Sequence, residues 1–229
     1  MATPEYLTPI NDTFIAKANN IEAQAMKKYM KNKFEFFGIK SPSRKEIYKL
    51  HKSNYGLLPD NGFEDIVRWC WNQPQREYQY FAMEFLGRRM KKADIEIIEL
   101  YEFIIINKSW WDTVDFIAAN LLGDYFKRFP EQINTITTKW MASENIWLQR
   151  SCLLFQLKYK QNTDTILMTD FINKLNGSKE FFINKAIGWL LREYSKTNSA
   201  FVVDFVGKNH LSGLSRREAV KWMQSRGLV

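Results

Sequence analysis

The residues best suited to chemistry lie in one stretch, Asn107-Lys108-Ser109-Trp110-Trp111-Asp112-Thr113-Val114-Asp115. Two adjacent tryptophans opening a helix cannot face the same way. Asp112 and Asp115, three apart, fall on neighbouring parts of one helical face. A carboxylate near a helix start complements the macrodipole, which accounts for Asp112. Asp115 lies further in, beside Phe116 and Ile117, where an acid needs a partner or a task. Spacing alone leaves two readings of Asp115 open: a functional acid, or an acid paired with a lysine or arginine on the next helical repeat. Other chemistries lack their residues. Cys70 and Cys152 are too far apart for a local metal motif, and His51 and His210 add no ligand cluster. Neither a glycine-rich phosphate loop nor a G-x-S-x-G turn occurs. No metal and no cofactor are expected.

Helices must position these residues. Apolar residues recur at intervals of three and four, as in Phe81, Phe85 and Leu86, in Leu153, Leu154 and Leu157, and in Ile187, Leu190 and Leu191. Breakers separate the blocks at Ser41-Pro42, Pro59-Asp60, Gln73-Pro74, Phe129-Pro130, Asn176-Gly177-Ser178 and Ser212-Gly213. Ser41, Asp60, Ser143, Ser178 and Ser215 read as helix N-caps. The pattern predicts about a dozen helices and no strand, an all-α fold. A longer period lies above it. When the segments at 76–86, 111–122, 146–157, 180–191 and 214–223 are aligned, a small residue recurs at Ala82, Ala118, Cys152, Ala186 and Ala219, at separations of 36, 34, 34 and 33. Three positions after each stands a large apolar residue: Phe85, Leu121, Phe155, Trp189 and Trp222. This is the period of a two-helix repeat, in which the small residue admits the neighbouring helix and the large one fills the layer between. It predicts a curved, right-handed solenoid of HEAT-like helical pairs forming a single domain over 1–229.

Composition narrows the partner. Of 229 residues 45% are apolar and 25% charged, and 10 Gly and 6 Pro fall short of the roughly 12% usual for those two types. Lys+Arg exceed Asp+Glu by 33 to 25, a formal +8 that favours a polyanion. The basic residues are clustered: Lys27, Lys28, Lys31 and Lys33; Lys40, Arg44, Lys45, Lys49 and Lys52; Arg88, Arg89, Lys91 and Lys92; Lys158 and Lys160; Arg216, Arg217, Lys221 and Arg226. Lining one groove of a solenoid, such groups would track a phosphate backbone; ordinary solvated helix faces are the alternative. Apolar stretches such as Phe103 to Ile106 fall far short of the ~20 residues of a membrane span. The start, MATPEYLTPINDTF, lacks the basic and apolar regions of a secretory signal, so a cytoplasmic location is expected. Trp69, Trp71, Trp140, Trp147 and Trp222, at helical spacing among apolar residues, read as packing.

Long segments carry a resemblance. SWWDTVDFIAANLLGDYF, ENIWLQRSCLLFQLKYKQ, SKEFFINKAIGWLLREYSKTN and LSRREAVKWM, with MKKYMKNKFEFFGIKSPSRKEI and WNQPQREYQYFAMEFL nearer the start, resemble the AlkD-type bacterial DNA alkylation-repair glycosylases from about residue 20 to 225. That family is a HEAT-like solenoid, in agreement with the repeat. The resemblance implies a metal-free, cofactor-free hydrolase excising cationic alkylpurines such as N7-methylguanine and N3-methyladenine from duplex DNA, with the lesion left in the stack. It implies that Asp115 stabilises an oxocarbenium-like sugar and orients water, and that Trp111 and Trp189 offer π faces to the developing charge. It further implies that Arg150 grips a phosphate and that Tyr29 contacts substrate. The residues by themselves leave alternatives. Periodicity puts Trp189 in the core slot of Phe85, Leu121 and Phe155, Arg150 could be an inter-repeat ion-pair partner, and Trp110 could be the exposed tryptophan in place of Trp111. Two other functions fit the scaffold, a non-catalytic DNA binder and a protein-binding solenoid, and a monomer is expected.

Overall fold

The computed structural model describes residues 3–57 and 62–229, so the expected cap Asp60 and the neighbouring Pro59 lie outside the described residues. It is all-α: among the described residues extended pairing is limited to an isolated bridge between Glu35 and Gln75. The chain divides into two compact units, Met1–Arg89 and Met90–Val229.

The first unit holds α1 (Thr8–Ala16), α2 (Asn20–Tyr29), α3 (Ser41–Tyr55), α4 (Phe63–Asn72) and α5 (Arg76–Arg89). Its core is aromatic, with Phe14, Tyr48, Trp71 and Phe81 all buried. Glu77, also fully buried, accepts hydrogen bonds from the backbone N–H groups of Phe37, Gly38 and Ile39 at 3.1, 2.9 and 3.1 Å, which ties the α2–α3 connection to α5. Three charge-assisted bonds offset the cost of burying that carboxylate. The connection also needs its glycine: Gly38 has φ +86°, and a Cβ there would stand 2.2 Å from the Asn19 carbonyl oxygen.

The second unit begins with α6 (Ile97–Ile106). A long helical stretch follows, running from α7 (Trp111–Phe116) through a π-helical segment (Ile117–Leu122) into α8 (Gly123–Arg128). Then come α9 (Gln132–Ala142), α10 (Ile146–Leu154), α11 (Thr165–Leu175), α12 (Phe181–Ser195), α13 (Ser199–Lys208) and α14 (Gly213–Gln224). The period of the sequence is the period of the packing. α10 lies on the π segment, α12 on α10 and α14 on α12, while α9 and α11 pair with α10 and α13 pairs with α12 and α14. Ala118, Cys152, Ala186 and Ala219 are all buried at these contacts, as is Ala82 in the first unit. The large-residue slot is less uniform: Phe85, Leu121 and Phe155 are buried, whereas Trp189 and Trp222 are half-buried. Of the tryptophans read as packing, Trp69, Trp71 and Trp140 are buried, and Trp147 is half-buried.

The expected caps need correction. Side-chain caps are made by Asn19, Asn145, Asp164, Asn198 and Ser212, whose oxygens accept from N–H groups of the first turn. Ser41 is already the first residue of α3, and Ser215 lies inside α14, where its N–H donates to Ser212 Oγ. Ser143 and Ser178 act one step earlier, accepting from the N–H groups of Asn145 and Glu180 in the approach to α10 and α12. At α10 and α14 the capping side chain stands two or three positions from the serine expected, and at α3 and α12 no side chain caps the helix.

Candidate active site

A cavity of about 290 Å³ opens in the second unit, and the repeat explains which residues reach it. α7 contributes Trp111 and Asp115, and α10 contributes Arg150. α12 contributes one face, Phe182, Lys185, Trp189 and Arg192, at steps of three, four and three, with Phe181 exposed at its first turn. Asp115 and Arg150 are 35 residues apart, one repeat, so they meet across neighbouring layers. Their contact is bidentate. Arg150 Nε donates to Asp115 Oδ1 at 2.7 Å and Nη2 to Oδ2 at 2.9 Å, while Nη1 donates to the Phe182 carbonyl oxygen. All three guanidinium nitrogens are thus engaged, and the Arg150 side chain is only 3% exposed.

That arrangement bears on the expected task of Arg150. A guanidinium grips a phosphate by presenting its planar fork, but this fork faces Asp115. The alternative raised by spacing, an inter-repeat ion pair, is the geometry found, and it joins the two residues instead of separating structural from functional. Burial raises the Asp115 carboxyl above its usual range; the hydrogen bonds and charge of Arg150 pull it down, and the nearby Asp112 adds a smaller upward push. The two donors of the fork favour the charged form of the carboxylate, against a burial that disfavours it more.

The tryptophan pair resolves as its adjacency requires. Trp110, the N-cap residue of α7, turns into an aromatic cluster, its ring 4.9 Å from Phe182 and 5.8 Å from Trp147. Trp111 faces the cavity. The cluster locks the start of α7 against α10 and α12, so it fixes Trp111 and Asp115 together. Behind Asp115 the helix widens into its π segment, a form concentrated at functional sites because it redirects side chains within one helix. Its looser carbonyls are partly served from the side: Asn120 Nδ2 donates to the Phe116 oxygen at 2.8 Å, and Lys158 holds Asn120 Oδ1 at 2.7 Å. Trp189 leaves the core slot of its repeat and lines the cavity instead, half-buried. Tyr29 stands in the first unit at the end of α2, 70% exposed.

Sequence reasoning missed Lys185, Arg192 and the two phenylalanines of α12. The signal existed, because Lys185, Trp189 and Arg192 share one helical face, and Lys185 precedes its partner Glu218 by 33 residues, again one repeat. Among the described residues no cluster of three His, Cys, Asp or Glu side chains could hold a metal ion, and no helix is long and apolar enough to cross a membrane.

Comparison with known proteins agrees over nearly the whole chain. The family model for the DNA alkylation repair enzyme matches residues 10–223. A solved structure, "Predicted DNA alkylation repair enzyme from Enterococcus faecalis", superposes with a TM-score of 0.83 at 31% identity, covering 90% of this chain and 97% of that one. No curated protein sequence matches the chain.

Proposed function

Since the chain belongs to the DNA alkylation repair enzyme family, we propose that it is a DNA glycosylase, hydrolysing the N-glycosidic bond of cationic alkylpurines such as N7-methylguanine and N3-methyladenine in duplex DNA, with residues 1–229 serving as one catalytic domain. The observation that carries this reading is a largely buried carboxylate, Asp115, held bidentately by Arg150 in a cavity walled by Trp111 and Trp189.

The chemistry suits those groups. An N-alkylated purine already bears positive charge and leaves without a general acid. As the C1′–N bond breaks, its electron pair neutralises the base and the positive charge passes to the deoxyribose. Asp115 stabilises that oxocarbenium-like sugar, orients the water whose oxygen bonds to C1′, and takes up the proton released. The faces of Trp111 and Trp189 add a cation–π term of about 0.5–2 kcal/mol each. Arg150 acts through Asp115: it favours the ionised carboxylate and aims it, and phosphate contacts fall to the cations Lys185 and Arg192 at the cavity, and to the lysines near Tyr29 together with its hydroxyl.

Asp115→Asn tests the reading, because it keeps the shape and removes the charge. Duplex DNA treated with a methylating agent should lose free base with the wild type, and the variant should bind the same DNA while releasing base at least about 100-fold more slowly. A variant as fast as the wild type would remove Asp115 from the reaction. Salt-sensitive DNA binding with no release by the wild type would make the protein a non-catalytic DNA binder.

A further inference from the structure

Lys185 and Arg192 line the cavity, yet both also reach to one carboxylate on α14. Lys185 Nζ donates to Glu218 Oε1 at 2.6 Å, and Arg192 Nη1 donates to Oε2 at 2.7 Å, with the Glu218 side chain only 12% exposed. The backbone is shaped for this contact. Gly188 lies on α12 between the two cations, and a Cβ there would stand 2.5 Å from Glu218 Cβ and 2.8 Å from the Ser215 carbonyl oxygen. Only a glycine lets α14 come close enough to set Glu218 under both side chains.

The carboxylate answers an electrostatic difficulty. A sugar gaining positive charge would develop beside Arg150, Lys185 and Arg192. Arg150 is matched by Asp115, but Lys185 and Arg192 would leave two uncompensated cations facing it, and Glu218 halves that excess. Each cation spends one N–H on Glu218, and an ammonium has two more donors and a guanidinium four. Converging on a single carboxylate, the two groups stand close enough to share one further anion. We propose that Glu218 is a positioning residue: it fixes Lys185 and Arg192 to hold one substrate phosphate beside the reacting sugar, and offsets enough of their charge for that sugar to become cationic. The two cations in turn hold the Glu218 carboxyl below its usual range, the hydrogen bond from Lys185 contributing most. The inference rests on the glycosylase reading for its chemical half.

The test separates binding from chemistry. Glu218→Gln keeps the shape and adds net positive charge, so it should bind undamaged duplex about fivefold more tightly at low salt. At saturating enzyme it should release N7-methylguanine about tenfold more slowly, since tighter ground-state binding and a less favourable transition state move apart. A merely structural role predicts binding and release weakened together, and that result, or no change in either, overturns the proposal. Glu218→Asp keeps the charge but shortens the reach, and carries the test if the first variant does not fold. Affinity within about twofold of wild type with release slowed about threefold supports the proposal, and wild-type release overturns it. A wild type that releases no base would sink the glycosylase reading instead. The affinity of Glu218→Gln for duplex then still decides the charge offset, tighter binding supporting it and unchanged binding refuting it.

Discussion

Two carboxylates serve the same cavity under opposite regimes. Asp115 receives a bidentate guanidinium at 2.7 and 2.9 Å, and its carboxyl is still pushed up, because burial outweighs the partner. Glu218 receives two separate cations at 2.6 and 2.7 Å, and its carboxyl is pushed down, because the partners outweigh burial. Geometry of contact is comparable; surroundings differ. The carboxylates themselves are about equally exposed, 16% for Asp115 and 12% for Glu218. Arg150 is 3% exposed, however, whereas Lys185 and Arg192 are 37% and 25% exposed, so it is the partners that differ in access to water. The balance of burial against partner charge moves the two carboxyls in opposite directions. On the proposed reading, chemistry falls to Asp115 and arrangement to Glu218.

Breaking the buried pair is the severest way to test that division. Arg150→Met leaves Asp115 in the cavity without its partner. Removing one member of a buried pair costs about 3 kcal/mol or more, readable as a lower midpoint in urea. The Asp115 carboxyl should rise further and lose its charge, cutting single-turnover base release by more than about 100-fold even at saturating enzyme. The contrary outcome is specific: weakened DNA binding with release intact at saturation would hand Arg150 the phosphate contact that the sequence suggested for it.

The contrast also marks what the sequence could and could not disclose. The helical period, the repeat and the buried small residues Ala118, Cys152, Ala186 and Ala219 were legible, since packing imposes them residue by residue. So were Asp115, Trp111 and Trp189 as cavity residues once the resemblance was read. Trp189 shows the limit of periodicity: its slot is a core slot in three other repeats, and only the cavity in front of it turns it outward. Arg150 shows another. Its position was legible but its orientation was not, because a fork aimed at Asp115 and one aimed at a phosphate have the same sequence spacing. Glu218 left a faint trace, an acid one repeat beyond a lysine, among many exposed charges at similar distances. The π segment left none, as nothing in IAANLL distinguishes it from an α-helical turn.

A smaller perturbation acts on the close approach behind Glu218. Gly188→Ala places a methyl group where the Ser215 oxygen and Glu218 Cβ already lie at 2.8 and 2.5 Å, so α14 must move away. Overpacking of this kind costs about 2 kcal/mol, and the melting temperature should fall accordingly. Gly207→Ala on α13 is the matched control, since a Cβ there meets nothing within 4 Å. It should stabilise the protein by up to about 1 kcal/mol through helix propensity. Equal melting temperatures for the two variants would mean that α12 and α14 have room to spare and that Glu218 is not held in place by the glycine.

The mildest experiment is pH, and there the two carboxylates should differ in sign. Asp115 has a raised carboxyl in the folded protein, so the folded state takes up its proton first as pH falls from neutrality. Across the window between its raised value and the ordinary aspartate range, wild type should gain stability relative to Asp115→Asn. Base release should fall over the same window as the anion is lost. Glu218 has a lowered carboxyl, so its contribution is complete above the ordinary glutamate range and disappears as pH drops towards its folded value. Wild type should therefore lose stability relative to Glu218→Gln in that lower window. Urea midpoints of the three proteins between neutral and acid pH give both differences. Curves that fall together on acidification would show that Asp115 is an ordinary ion-paired carboxylate, and the distinction between the two sites would collapse.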